Sequence, residues 1–181
     1  MKKLRISYTL LSYWSKGQVD QAVSYYLKLP QEDTQAMREG REWGKKNEDE
    51  MNKNKQMIKE FLGIKLTDPK PEQKFEVNYS DHFDLVIVPD CLDGTTLYET
   101  KTGKRSSVSY LSSPQLALYY LGLKLKDYPI TKIKVIRYNQ HTDKTDWAMK
   151  HTGQHLYEEA DNYIQSLAPE IMEYFTKINI L

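Results

Sequence analysis

Glu99 and Lys101 stand two residues apart in "LYETKTGK" (97–104), at the end of a segment that reads as a strand. Side chains two apart in a strand share a face, so these two project together while Thr100 turns away. The pair alone is either a solvated charge pair on a sheet or half of a reaction site. Asp84 shifts that balance. It sits among Phe83, Leu85, Val86, Ile87 and Val88, and a carboxylate in so apolar a run is costly to bury without a partner or a metal. If the strands of Asp84 and Glu99 are antiparallel neighbours, their carboxylates meet across the pair with the lysine beside them. Two hard carboxylates suit Mg²⁺ or Mn²⁺, which keep waters and bind phosphate oxygens. Such an ion lowers the pKa of an attacking water and neutralises charge developing on phosphorus. A lysine among them orients that water or steadies the transition state. The chemistry implied is metal-assisted phosphodiester hydrolysis; the alternative is a solvated Glu99–Lys101 pair with Asp84 facing a turn.

The surrounding elements must position these groups. Ser7 is a helix cap ahead of Leu10, Leu11 and Trp14, with an interruption near Gly17 and a continuation to Pro30. A long polar helix follows, carrying Met37, Trp43, Met51, Ile58, Phe61 and Leu62 and ending near Gly63. After the proline-rich loop "TDPKPEQ" come the strands "KFEVNYS", "HFDLVIVP" and "TTLYETK", the last two separated by "PDCLDG", read as a turn. Ser113 and Pro114 open the helix "SPQLALYYLGLKL", then "ITKIKVIRYN" is a further strand. The closing helix bends at Pro169. This order predicts an α/β fold, a central mixed sheet flanked by helices, in a single domain spanning 1–181. Its parts are a helical N-terminal portion (1–65), a sheet core with its helix (71–140) and a C-terminal helix (147–181).

Twenty-six basic residues against 25 acidic ones leave a net charge of +1, so affinity for a polyanion must come from a local patch. No stretch approaches the ~18 apolar residues of a membrane span, and the N-terminal apolar run is broken by Arg5, Ser7 and Ser12. Cys91 is the only cysteine, which excludes a disulfide and a cysteine-ligated cluster. The expectation is a cytoplasmic protein with no membrane partner.

Taken together, "GKKNE" (44–48), "HFDLVIV" (82–88), "ETKTGK" (99–104) and "QLALY" (115–119) resemble, in order, the motifs of the PD-(D/E)XK nuclease superfamily and its RecB-type exonuclease branch. That branch carries a Gly-x-x-x-His helix, an Asp in an apolar strand, an acid-x-Lys-Thr-Gly-Lys strand end and a Gln-x-x-x-Tyr helix. The resemblance implies a restriction-endonuclease-like fold. It implies that Glu48, Asp84, Glu99 and the backbone carbonyl of Thr100 bind one or two Mg²⁺ or Mn²⁺ ions. Lys101 becomes the catalytic lysine, and Gln115 and Tyr119 line the site and hold the DNA strand or the water network. Two departures stand out. Glu48 replaces the branch's histidine, with Asp49 and Glu50 close enough to leave the register open. The cysteines that bind an iron–sulfur cluster in some relatives are missing, so no cluster is expected.

The implied activity is a DNA exonuclease of recombination, repair or phage DNA processing, working alone or beside a separate helicase or recombination protein. The alternatives are an inactive nucleic-acid- or partner-binding module on the same fold and a structure-specific endonuclease. Lys104 and Arg105, just past the lysine strand, are either phosphate contacts at the rim of the site or a solvated turn. His82, and the pair His151 and His155, read as surface residues. Tyr25, Tyr26, Tyr157 and Tyr163 read as packing residues. Strand polarity and oligomeric state leave no mark in the sequence.

Overall fold

The computed structural model describes residues 3–30, 35–53, 66–139, 141–142 and 144–181; at 36 and 46–53 the backbone alone is described. The chain opens with a short strand, β1 (Leu4–Ile6), then α1 (Tyr8–Ser15), α2 (Val19–Tyr26) and α3 (Gln35–Lys53). Next come β2 (Lys70–Pro71), β3 (Phe75–Asn78), β4 (Phe83–Ile87), β5 (Cys91–Asp93) and β6 (Thr96–Thr102). The one-turn α4 (Ser107–Tyr110) and α5 (Pro114–Lys124) lead to β7 (Lys132–Asn139), β8 (Lys144–His151) and α6 (Gln154–Lys177). The fold is the expected α/β class, with mixed parallel and antiparallel strands flanked by helices.

Hydrogen bonding divides the strands into two ladders, β1-β4-β3 and β2-β5-β6-β7-β8. The division has a covalent cause. The strand of Asp84 runs on through Val88, Pro89 and Asp90 into β5, and Pro89, without an N–H, cannot extend the ladder. β3 pairs with β4 before this break, and β2 pairs with β5 after it. β5 turns back antiparallel to β6, and β6 lies parallel to β7 across the α4–α5 crossover.

The expectation that the strands of Asp84 and Glu99 are neighbours is therefore corrected: β4 lies between β1 and β3, and β6 between β5 and β7. "PDCLDG" is likewise not only a turn, since β5 begins within it. Three strands were not foreseen at all, and one of them, β2, lies inside the segment "TDPKPEQ" read as a loop. β1 is three residues long, too short to show alternation, and β8 lies where only a closing helix was expected.

α5 is buried all round from Leu116 to Leu123, the mark of a helix enclosed by its neighbours. Gly122 permits that: a Cβ there would stand 2.7 Å from Cδ1 of Ile87 on β4. Across α5 lies α6, whose buried stripe Leu156, Ala160, Ile164, Ala168, Ile171 and Phe175 repeats at helical spacing. The helix continues through Pro169 and does not end there. On the opposite face of β6 and β7, Trp43 of α3 stacks on Tyr138 with ring centroids 5.6 Å apart, over Cys91 and Ile136. Gly40 brings α3 against the end of β6, where an added Cβ would lie 3.3 Å from Thr102 Oγ1. The site strand is thus fixed from both faces.

Candidate active site

β6 alternates as a half-buried strand must, with Leu97 and Glu99 buried on the α5 side. Glu99 is 1% exposed, and Lys101 follows on the same face where the strand emerges. Lys101 Nζ donates to Glu99 Oε1 at 2.5 Å and to Gln115 Oε1 at 2.9 Å. Gln115 Nε2 in turn donates to the Tyr119 hydroxyl at 2.7 Å. Gln115 and Tyr119 meet because they are one turn apart on α5, which Ser113 caps by accepting from Gln115 N. The structure thus brings Glu99, Lys101, Gln115 and Tyr119 into one hydrogen-bonded chain.

Asp84 is elsewhere. Its strand register faces Arg5 of β1 and Asn78 of β3, and its carboxylate lies 3.8 Å from Lys3 Nζ. The carboxylate acting on Glu99 is Asp90, which sequence reasoning missed. Asp90 Oδ2 accepts from Thr100 N at 2.7 Å and Thr100 Oγ1 at 2.5 Å. That bond replaces the ladder, because β5 pairs with β6 only as far as Tyr98. In a strand a residue's N–H and C=O point to the same edge, so the Thr100 carbonyl faces the edge that Asp90 occupies. The signal for Asp90 was present: Pro89–Asp90 ahead of Glu99-Thr100-Lys101 spells out the pattern that names the superfamily.

The electrostatics follow from this geometry. Burial, then repulsion from Asp90, pushes the Glu99 carboxyl up to about 8, with Lys101 opposing the rise. Burial works against the charge of Lys101, but Glu99 and Asp90 outweigh it and hold the ammonium above its ordinary value. The Tyr119 hydroxyl is also raised, by burial and by Glu99 and Asp90, and stays protonated. The second oxygen of Glu99, Oε2, is buried without a hydrogen-bond partner among the described residues. An orphaned carboxylate oxygen, a second carboxylate within electrostatic reach of it whose bonds both fall on Oδ2, and a backbone carbonyl facing that second carboxylate's edge are all hard oxygens. They fit a divalent cation such as Mg²⁺ or Mn²⁺. Among the described residues no group of three or more His, Cys, Asp and Glu gathers. Position 48 lies on α3, but the Glu48 side chain, like those of Asp49 and Glu50, falls outside the described residues.

Lys101 opens onto a cleft of about 380 Å³ lined also by Tyr8, Arg105, Tyr110 and Gln115. Arg105 is exposed at its rim; Lys104 is exposed and does not line it. The turn between is pinned from β7 and β8. Arg137 donates from Nε to Asp146 at 2.6 Å and from a terminal nitrogen to the Gly103 carbonyl at 3.3 Å, while Ser107 donates to the same Asp146 carboxylate. His82 is exposed. His151 ends β8 and His155 begins α6, so the two do not share a helix face. Tyr26, Tyr157 and Tyr163 pack against the core, whereas Tyr25 is 37% exposed. No helix among the described residues is long and apolar enough to cross a membrane.

The sequence matches no protein-family model and no curated protein. The structure does match solved ones. The alkaline exonuclease LHK-Exo of Laribacter hongkongensis superposes with a TM-score of 0.55 at 12% identity, over 97% of this chain and 93% of that one. Its complex with dAMP gives 0.55 at 11%, over 96% and 93%. SSO0001 gives 0.50 at 12%, over 91% and 77%. At such identities the likeness is one of fold, and it spans nearly the whole chain: this protein has the nuclease-type α/β fold of LHK-Exo.

Proposed function

We propose that this chain is a divalent-metal-dependent deoxyribonuclease acting from DNA ends. The observation that carries the reading is Glu99: buried, with Oε1 bound by Lys101 and Oε2 orphaned beside a second carboxylate. Asp90, Glu99 and the Thr100 carbonyl would hold Mg²⁺ or Mn²⁺, with Glu48 from α3 as a further oxygen donor. A bound ion would supply a water of lowered pKa and neutralise charge on the reacting phosphate.

The chain's own residues do the rest. Lys101 keeps its proton, so it serves as a donor that positions the attacking water or a phosphate oxygen and offsets the charge that grows in the transition state. Gln115 fixes the ammonium by accepting from it, and Tyr119 fixes Gln115. Buried Glu99 prevents Lys101 from swinging into solvent. Arg105, at the rim of the cleft, and Lys104 beside it would meet the flanking phosphates.

The preference for ends draws on fold likeness to an alkaline exonuclease, one of whose complexes holds the deoxynucleotide dAMP. The RecB-type motifs give the setting: recombination, repair or phage DNA processing in the cytoplasm, with any helicase supplied by another protein. The test is degradation of end-labelled linear DNA against a covalently closed circle, with Mn²⁺ or with EDTA. Metal-dependent loss of the linear form with the circle spared is expected. Cutting of the circle would make the chain an endonuclease. No cleavage by folded protein would leave a binding module.

A further inference from the structure

A second concave surface begins where the site ends. Ser7 and Tyr8 are adjacent, yet Tyr8 lines the cleft at Lys101 while Ser7 lines a separate cavity of about 480 Å³. Arg5, Lys28, Lys74, Tyr25 and Tyr26 line this cavity too. It adjoins a cavity of about 450 Å³ that shares Tyr25 and Lys28 and adds Arg41. The two form one groove. Its link to the site is Ser7, which donates from Oγ to the Tyr25 hydroxyl at 3.1 Å and is followed directly by Tyr8 of the cleft. Val88 lines the groove two residues ahead of Asp90, so the chain of β4 leads from it to the site carboxylates.

Among the described residues, the charge that lines the groove is one-sided. Four cationic side chains line it and, among the described lining residues, no acidic one. Arg5 is paired with Glu76 at 2.6 Å. Lys28 and Lys74 are exposed and make no ion pair with any described residue. In a protein of net charge +1 such a concentration is the local patch that polyanion binding needs.

Lys28 carries a second signal. It follows the end of α2 in the left-handed region, with φ 56, and its N–H and that of Leu29 close the helix on Tyr25 and Ser24. Glycine normally fills that position because any Cβ there is strained. A lysine held in strained backbone, unpaired and facing a cavity, points to a role for its side chain. The tyrosines complete the ligand's description. Tyr25 is exposed and its ring lies 6.3 Å from that of Tyr13, both at the groove, so bases have faces to stack on while the cations track phosphates.

We propose that this groove binds the single-stranded DNA that runs to or from the site, with Lys28 and Lys74 on its phosphates and Tyr25 against its bases. The inference rests on the nuclease reading for its direction toward the site, and its test separates the two. Binding of fluorescein-labelled oligo-dT of increasing length is measured by anisotropy in EDTA across a salt series, for the wild type, K28G and a K28G/K74A double variant. Affinity should grow with length, and the double variant should lower the salt slope by about 1.4, about 0.7 for each lost single-strand phosphate contact. K28G should keep or raise the melting temperature while weakening binding, which a structural role for Lys28 would not do. In the cleavage assay the double variant should raise KM and leave kcat unchanged.

An unchanged salt slope overturns the proposal. So does binding that ignores length and is displaced by inorganic phosphate, which would make this an anion pocket. Loss of duplex binding with oligo-dT binding unchanged overturns it as well. A lowered slope in a protein that never cleaves keeps the groove and rejects the nuclease; cleavage with an unchanged slope does the reverse.

Discussion

Glu99 is the residue on which the proposed chemistry turns, and its ionisation gives it a testable signature. Its folded value near 8 lies above its ordinary 4.5. Between these, the folded protein holds a proton that the unfolded chain has lost, so stability falls as pH rises through this window and levels off above about 8. Metal-free protein should therefore melt at lower temperature at pH 8 than at pH 5, and Glu99→Gln should flatten the dependence; a wild-type profile that the substitution leaves unchanged would refute the burial account. An ion bound at Glu99 would displace the same proton. Apparent Mn²⁺ affinity should then climb with pH, by about tenfold per unit at most, toward a plateau near pH 8, as read by calorimetric titration. At this scale the sequence was partly legible. Glu99, Lys101, Gln115 and Tyr119 were marked by spacing within their own elements, and they do meet. Asp90 stands in a Pro–Asp run that ends at Gly94 and looks like turn chemistry, whereas Asp84 stands out by its apolar neighbours.

The elements explain this contrast. β4 and β6 were both visible as strands, but adjacency is set by the kink at Pro89, which hands the pairing of the site strand from β4 to β5. Nothing in local periodicity reports such a transfer. β8 was invisible for another reason: Trp147 and Met149, both more than a third exposed, face outward, so the usual alternation of apolar inside and polar outside is lost. Lys134 lies over the Trp147 ring, 3.9 Å from its centroid, and in part covers it. Helix α5 was the clearest element, and its tightest contact offers a test. Replacing Gly122 by Leu forces a side chain against Ile87, whose Cδ1, Cγ1 and Cγ2 would all be within 3.2 Å of the new Cβ. Overpacking of this kind costs about 1–3 kcal/mol. Denaturant melts should show that loss, and because α5 carries Gln115 and Tyr119, activity should fall with it. A stable and fully active Gly122→Leu protein would contradict the packing described for α5 on β4.

For the whole molecule, fold class was readable from the order of elements, since helices around mixed strands admit few architectures. The basic groove was not, because Arg5, Lys28, Lys74 and Arg41 are scattered in sequence and gathered only by folding. A ligand that binds the folded state alone stabilises it by mass action, by about 2.7 kcal/mol at a hundred times its dissociation constant. For a domain of this size that corresponds to a rise of roughly 2–4 °C per kcal/mol. Mn²⁺ should raise the melting temperature of the wild type at pH 8 and leave Glu99→Gln unmoved. Equal shifts in both would place the ion elsewhere.

The most direct test of the site compares Asp90→Asn with Asp84→Asn in Mn²⁺-dependent degradation of end-labelled linear DNA, with Lys101→Ala alongside. The site built on β5 and β6 predicts that Asp90→Asn and Lys101→Ala are inert while folded, and that Asp84→Asn, whose carboxylate lies beside Lys3, still degrades DNA. An active Asp90→Asn enzyme with an inert Asp84→Asn would contradict this assignment and return the second ligand to β4.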